Sequence, residues 1–243
     1  MRLNKNFSKY MAAFFLAGFL PLAGLAAIKV STLRVDFIPT DKQFQDVFIE
    51  NAGDKVEYVD ISLFKRLNPA KQPEQIETNA GQDPKKFGMV VTPNKMAINP
   101  GQMKRVRLLN FNHGNTTDIV YGLRILPVEA PVQRAEDAGD VHAAAQVQMV
   151  SSFVIGVYVL PANANVNLSL TRSGKDLSIE NKGNTNALLD EGKQCTADAK
   201  PVCDDLEPVR IYGGELVHVS LPKDLPASYQ ATYLNTTKTF TSK

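Results

Sequence analysis

Residues 87–111 read FGMVVTPNKMAINPGQMKRVRLLNF, from Phe87 to Phe111. Two short apolar segments, Gly88–Thr92 and Arg105–Phe111, are joined through Met96–Ile98 and a turn at Pro100-Gly101. Proline presets one dihedral of such a turn and glycine permits the left-handed one beside it. Short strands separated by tight turns are the pattern of an antiparallel β-sandwich.

The same texture extends to both sides. Candidate strands are Lys29–Phe37, Phe44–Glu50, Glu57–Lys65, Phe87–Thr92, Lys104–Phe111, Ile119–Pro127 and Gln146–Leu160, and seven strands suffice for one immunoglobulin-like domain. The polar stretches Asn68–Lys86 and Glu129–Asp140 read as long surface loops. After Pro161 the sequence Pro-Ala-Asn-Ala-Asn reads as a short hinge. Weaker strands follow at Val166–Thr171, Asp176–Glu180, Ala187–Asp190, Val209–Tyr212, Glu215–Ser220 and Tyr229–Tyr233. The expected fold is all-β, with an N-terminal sandwich over residues 28–160 and a smaller one over 161–243.

The first 27 residues have a different character. Arg2, Lys5 and Lys9 precede the apolar run Tyr10–Leu20, and small residues follow at Gly24, Ala26 and Ala27. This is the layout of a secretory signal peptide, cleaved after Ala26 or Ala27. Its apolar core is too short to span a bilayer, and no later stretch is apolar enough to do so, so no membrane insertion is expected. Removing the signal takes three cations from the 27 in the chain, leaving 24 basic against 25 acidic residues. A near-neutral chain has no overall field to gather nucleic acid, which is therefore not an expected partner.

Cys195 and Cys203 are the two cysteines, with seven residues between them. In an exported protein such a pair reads as a local disulfide. Two thiolates without nearby histidines are too few for zinc, and His113, His142 and His218 are scattered. No phosphate loop, metal-ligand spacing or nucleophile elbow occurs, so neither catalysis nor a cofactor is expected.

The run from Ala143 to Leu160 alternates: Ala143, Ala145, Val147, Met149 and Ser151 fall on one face of an extended strand. Val147 and Met149 either fill their own core or are displayed to a partner.

The order "apolar, Thr-Pro, apolar, Asn-Pro-Gly, basic, Val-Arg-Leu", with the long acidic loop before the last strand and Pro161 ending it, resembles the PapD-like periplasmic pilus chaperones. The cysteine pair and the Ile-Gly before the strand end are closest in character to the alpha class serving colonisation-factor and common pili. The resemblance implies two immunoglobulin-like sandwiches in a boomerang arrangement, located in the periplasm of a Gram-negative cell. It implies a chaperone that stabilises pilus subunits by donor-strand complementation and delivers them to an outer-membrane usher. Ala143, Ala145, Val147, Met149 and Ser151 would be the donated positions, and the free chain could self-associate to hide them.

Arg34 matches the family's arginine that anchors the subunit's terminal carboxylate. A second anchor, normally lysine, falls on Gly156, so another cation must take its place; Lys29, Lys104, Arg105 and Arg124 are the choices by strand logic. Arg107 resembles the family's buried arginine that pairs with acids linking the domains, which makes Asp118 its expected partner. The Asn-Lys-Gly-Asn turn at 181–184 also matches a family pattern, and is expected to serve by permitting unusual dihedrals. The rival reading is a non-catalytic secreted adhesin or pilus structural subunit of the same sandwich class. A sugar-binding module would be expected to present exposed aromatics, and the chain has no tryptophan.

Overall fold

The computed structural model describes residues 28–69, 71, 73–128, 152–197, 200–234 and 236–242. The N-terminal 27 residues, and with them the expected signal peptide, lie outside that set.

The first part of the chain forms β1 (Ile28–Val30), β2 (Arg34–Phe37), β3 (Phe44–Asn51), β4 (Glu57–Arg66), β5 (Ile76–Thr78), a helical turn α1 (Pro84–Phe87), β6 (Met89–Thr92), β7 (Lys95–Ile98), β8 (Met103–Asn110), β9 (Ile119–Val128) and β10 (Phe153–Val159). One sheet runs β1-β3-β8-β6; the other runs β2-β10-β9-β4-β5, with β7 also on β4. Period-two alternation turns one face of each inward. Val47, Ile49, Val106 and Leu108 from the first sheet meet Ile61, Leu63, Leu123, Ile125, Ile155 and Val157 from the second, all buried. Each of these side chains contributes about 1.5–3 kcal/mol by leaving water.

The expected single strand Lys29–Phe37 is two strands in different sheets. β1 pairs with β3, whereas β2 pairs in parallel with β10. Ser31–Leu33 carry the chain across, and Thr32 Oγ1 accepts the Arg34 backbone N–H at 3.1 Å to fix the corner. Pro100-Gly101 makes the expected turn, with Gly101 at φ +70°. The stretch Asn68–Lys86, expected as loop, contains β5 and most of α1.

The remaining strands are β11 (Leu168–Ser173), β12 (Asp176–Asn181), β13 (Ala187–Cys195), β14 (Cys203–Leu206), β15 (Val209–Ile211), β16 (Glu215–Ser220), β17 (Ala227–Tyr233) and β18 (Thr236–Thr241). They form a second sandwich from the sheets β11-β12-β16 and β14-β13-β17-β18, with β15 on β13. Its separate core centres on Leu177, Ile179, Leu189, Ile211 and Tyr229. Cys195 and Cys203 are bonded and sit opposite each other in the β13–β14 register.

The Asn-Lys-Gly-Asn turn works by close approach rather than by dihedral freedom. Gly183 is not in the left-handed region; a Cβ there would lie 2.0 Å from the Asn165 carbonyl oxygen. Asn184 closes the same contact. Its N–H donates to Asn165 O at 2.9 Å, and its Nδ2 donates to Asn163 O at 3.2 Å and to Thr116 O at 3.1 Å. The turn thus ties the hinge segment and the first sandwich to the second.

Candidate functional site

β10 is covered on both sides only along part of its length. Gly156–Val159 lie between β2 and β9, and the Leu33 carbonyl accepts the Gly156 N–H at 3.0 Å. Upstream, among the described residues, Phe153–Ile155 pair with β9 alone. An edge strand with a row of free backbone groups is a template for another chain. Leu33, Leu126, Val128 and Val154 are exposed around it. The five positions Ala143, Ala145, Val147, Met149 and Ser151 lie outside the described residues.

The free edge ends at Arg34, opposite Gly156 in the register. Because residues two apart share a face, Arg34 and Asp36 lie beside Gly156 and Tyr158. The Arg34 Nε donates to both oxygens of Asp36, at 3.0 and 2.8 Å. Its guanidinium covers the Tyr158 ring at 4.4 Å from the centroid, a favourable cation–π distance. From the second sandwich, Arg210 on β15 approaches the same ring at 5.2 Å. Both arginines donate to one acceptor: Asn186 Oδ1 receives Arg34 Nη1 at 3.2 Å and Arg210 Nη1 at 2.8 Å.

Asp118, just before β9, holds Asn186 from behind. Its Oδ2 accepts the Asn186 N–H at 2.7 Å and Nδ2 at 2.6 Å, and its Oδ1 accepts the Thr185 hydroxyl at 2.7 Å. This fixes which end of the Asn186 amide faces the arginines. Burial pushes the Asp118 carboxyl above its ordinary pKa, against the lowering by those hydrogen bonds and by the Arg34 charge. Beside them Val120, Tyr158 and Leu160 form a small apolar cluster joined by Ile38 and Tyr212. Arg66 Nη1 donates to the Tyr212 hydroxyl at 3.2 Å. Burial, with Tyr158 alongside, pushes that hydroxyl up to about 12.

The expected Arg107–Asp118 pair is not formed. Arg107 lies on β8 in the first sheet, where its Nε and Nη2 donate to Asp46 Oδ1 and Oδ2 at 2.7 and 2.8 Å. Asp46 is its cross-strand partner on β3, whereas Asp118 leads into the opposite sheet. Asp118 does bridge the two sandwiches, through neutral donors.

The four cations considered as replacements for the missing lysine do not converge on Arg34. Lys29 lies on β1 in the other sheet; Lys104 Nζ donates to Ala97 O at 2.6 Å. Arg105 lies 3.7 Å from Asp46, and Arg124 stacks over Phe64 at 5.4 Å. The cation that reaches the site is Arg210, which sequence reasoning missed. Gly156 is accounted for by Tyr158: a Cβ at 156 would stand 3.0 Å from the ring and from its hydroxyl. A glycine inside a strand often marks such an approach.

No protein-family model matches the chain, and no curated protein matches it. Solved structures do. The chain is similar to the class 5 fimbriae chaperone CfaA, with 17% identity, 89% of this chain and 99% of that one covered, and a TM-score of 0.58. The E. coli chaperone DraB is 16% identical over 89% of this chain and 95% of its own, with a TM-score of 0.60. A chain of the Salmonella enterica complex of SafA pilin with the SafB chaperone is 14% identical over 89% and 96%, also at 0.60. At these identities the likeness is one of fold, and the chain has the two-sandwich fold of those proteins.

Proposed function

We propose that the chain is a periplasmic chaperone that captures pilus subunits by lending them a strand, and passes them to an outer-membrane usher. The observation that carries this reading is the edge of β10, which among the described residues is only half covered and runs out at a cluster of cations. A guest strand added upstream of Gly156 must end where β2 begins, at Leu33 and Arg34. Laid parallel to β10, it brings its C-terminal carboxylate to the arginines; laid antiparallel, it brings its ammonium group there. Electrostatics favours the parallel guest, held by charge-assisted hydrogen bonds.

Strand addition supplies the rest of the affinity. Backbone pairing is independent of the guest's sequence, while alternate side chains enter its open groove. Each methylene so covered contributes about 0.8 kcal/mol. Val147 and Met149 are the side chains proposed to enter, and catalysis has no part in the process. That CfaA, DraB and SafB are chaperones, and that SafB is found with a pilin, supports the same reading.

The test is co-expression in the periplasm with the pilus subunit encoded beside the chain. The wild type should co-purify with the subunit, and V147E/M149E should remain folded by circular dichroism but emerge without it. Loss of folding in the variant would place Val147 and Met149 in the protein's own core. Failure of the wild type to retain any subunit would overturn the reading.

A further inference from the structure

The Arg34 corner holds two positive charges where the strand register supplies one. Arg34 has a carboxylate, Asp36, on its Nε. Among the described residues, Arg210 has no carboxylate within ion-pair distance, and its hydrogen bond goes to the neutral Asn186 oxygen. Two guanidinium groups therefore converge on one uncharged acceptor, 3.2 and 2.8 Å away. Like charges brought this close oppose each other unless an anion lies between them. Asp118 feels the Arg34 charge but does not lie between the two guanidinium groups: its oxygens bond Thr185 and Asn186 on the far side of the amide.

We infer that Arg210 is the second cation of the carboxylate site, supplied by the second sandwich, and that Asn186 Oδ1 holds the position of one carboxylate oxygen until a guest arrives. The inference rests on the strand-lending reading above and specifies the site that ends the guest strand. Tyr158 is what permits the arrangement. Its ring occupies the space beside Gly156 from which a residue-156 side chain would extend, and both Arg34 and Arg210 stack on it. A carboxylate gripped by both is joined to both sandwiches at once. Guest binding then stiffens the connection between them, whereas a site built on one sandwich would leave it unchanged.

The experiment uses the same co-purified subunit, with full-length R210A, R210Q and R210K. R210A and R210Q should retain at least about tenfold less subunit than wild type, the loss expected for one hydrogen bond between charged groups. R210K should keep part of the capture, because lysine preserves the charge, whereas glutamine preserves only a donor to Asn186. Backbone hydrogen exchange at 161–167 should slow in the wild-type complex relative to the free chain. Capture by R210Q at the wild-type level would overturn the role of the charge, while leaving strand lending intact. Equal exchange at the hinge in free and bound chains would overturn the bridging. If the wild type captures nothing, the reading beneath both fails with them.

Discussion

Two arginines of the first sandwich carry nearly the same local surroundings and differ in what they can do. Arg34 and Arg107 are each paired with an aspartate at 2.8 and 2.7 Å, with side chains 33% and 34% exposed. Each lies 4.4 Å over an aromatic ring, Tyr158 or Phe44. The difference is in how the guanidinium is spent. Arg107 places Nε and Nη2 on the two oxygens of Asp46, a complete two-pronged pair. Arg34 gives Asp36 only its Nε and turns Nη1 toward Asn186 of the second sandwich. Exposure and stacking do not distinguish the two. In the reading proposed above, what does is a donor held by a neutral acceptor that a carboxylate can replace.

The largest expected effect tests this contrast directly. R34A should reduce subunit capture more than a hundredfold, corresponding to about 3 kcal/mol for charge-assisted bonds to a carboxylate. R107A should capture as wild type does and melt close to it, since it breaks a partly exposed pair. Co-purification yields and melting curves of the two variants measured side by side decide the matter. Equal loss of capture in both would make the Asn186 contact irrelevant.

The contrast between these arginines could not be read from the chain. Arg34 and Arg210 are separated by most of the sequence, and β15, which carries Arg210, is a three-residue strand with no motif around it. The strands flanking Pro100-Gly101 were legible because their alternation is strong and the turn chemistry specific. β18, Thr-Thr-Lys-Thr-Phe-Thr, gave no apolar pattern because nearly all of it faces solvent. β14 was hidden for the same reason by its acidic pair. The switch of sheets at Ser31–Leu33 was concealed because Val30, Val35 and Phe37 read as one continuous apolar strand. Gly156 was visible as a departure from the resemblance, but its cause was a ring two residues away on the same face.

Two glycines sharpen the comparison between the cation site and the hinge. G183A sets a methyl group against the Asn165 backbone, 2.0 Å away, which cannot swing aside; it should cost about 3 kcal/mol by overpacking. G156A meets the end of the Tyr158 ring at 3.0 Å, and a small ring shift should hold the cost to about 1 kcal/mol. Denaturant midpoints give both values. G156K, which restores the lysine the resemblance implies, should lower capture by driving the Tyr158 ring away from the arginines it supports. A gain of capture would mean the ring is not the support proposed here.

The smallest effect separates the two aspartates by the sign of their pH dependence. Asp46 has its pKa lowered from 3.8, first by the hydrogen bond from Arg107. A carboxyl bound more weakly to protons when folded adds stability that is present above 3.8 and lost as pH falls through the lower folded value. Asp118 has its pKa raised from the same 3.8, first by burial. Its contribution is fully present below 3.8 and is lost as pH rises through the folded value, where the buried group must ionise. Melting temperatures across the acid range should therefore show D46N losing less than wild type below pH 3.8. D118N should decline less than wild type above it. Parallel curves for wild type and D118N above pH 3.8 would mean that Asp118 is not desolvated between the sandwiches, and the clamp on Asn186 would lose its fixed side.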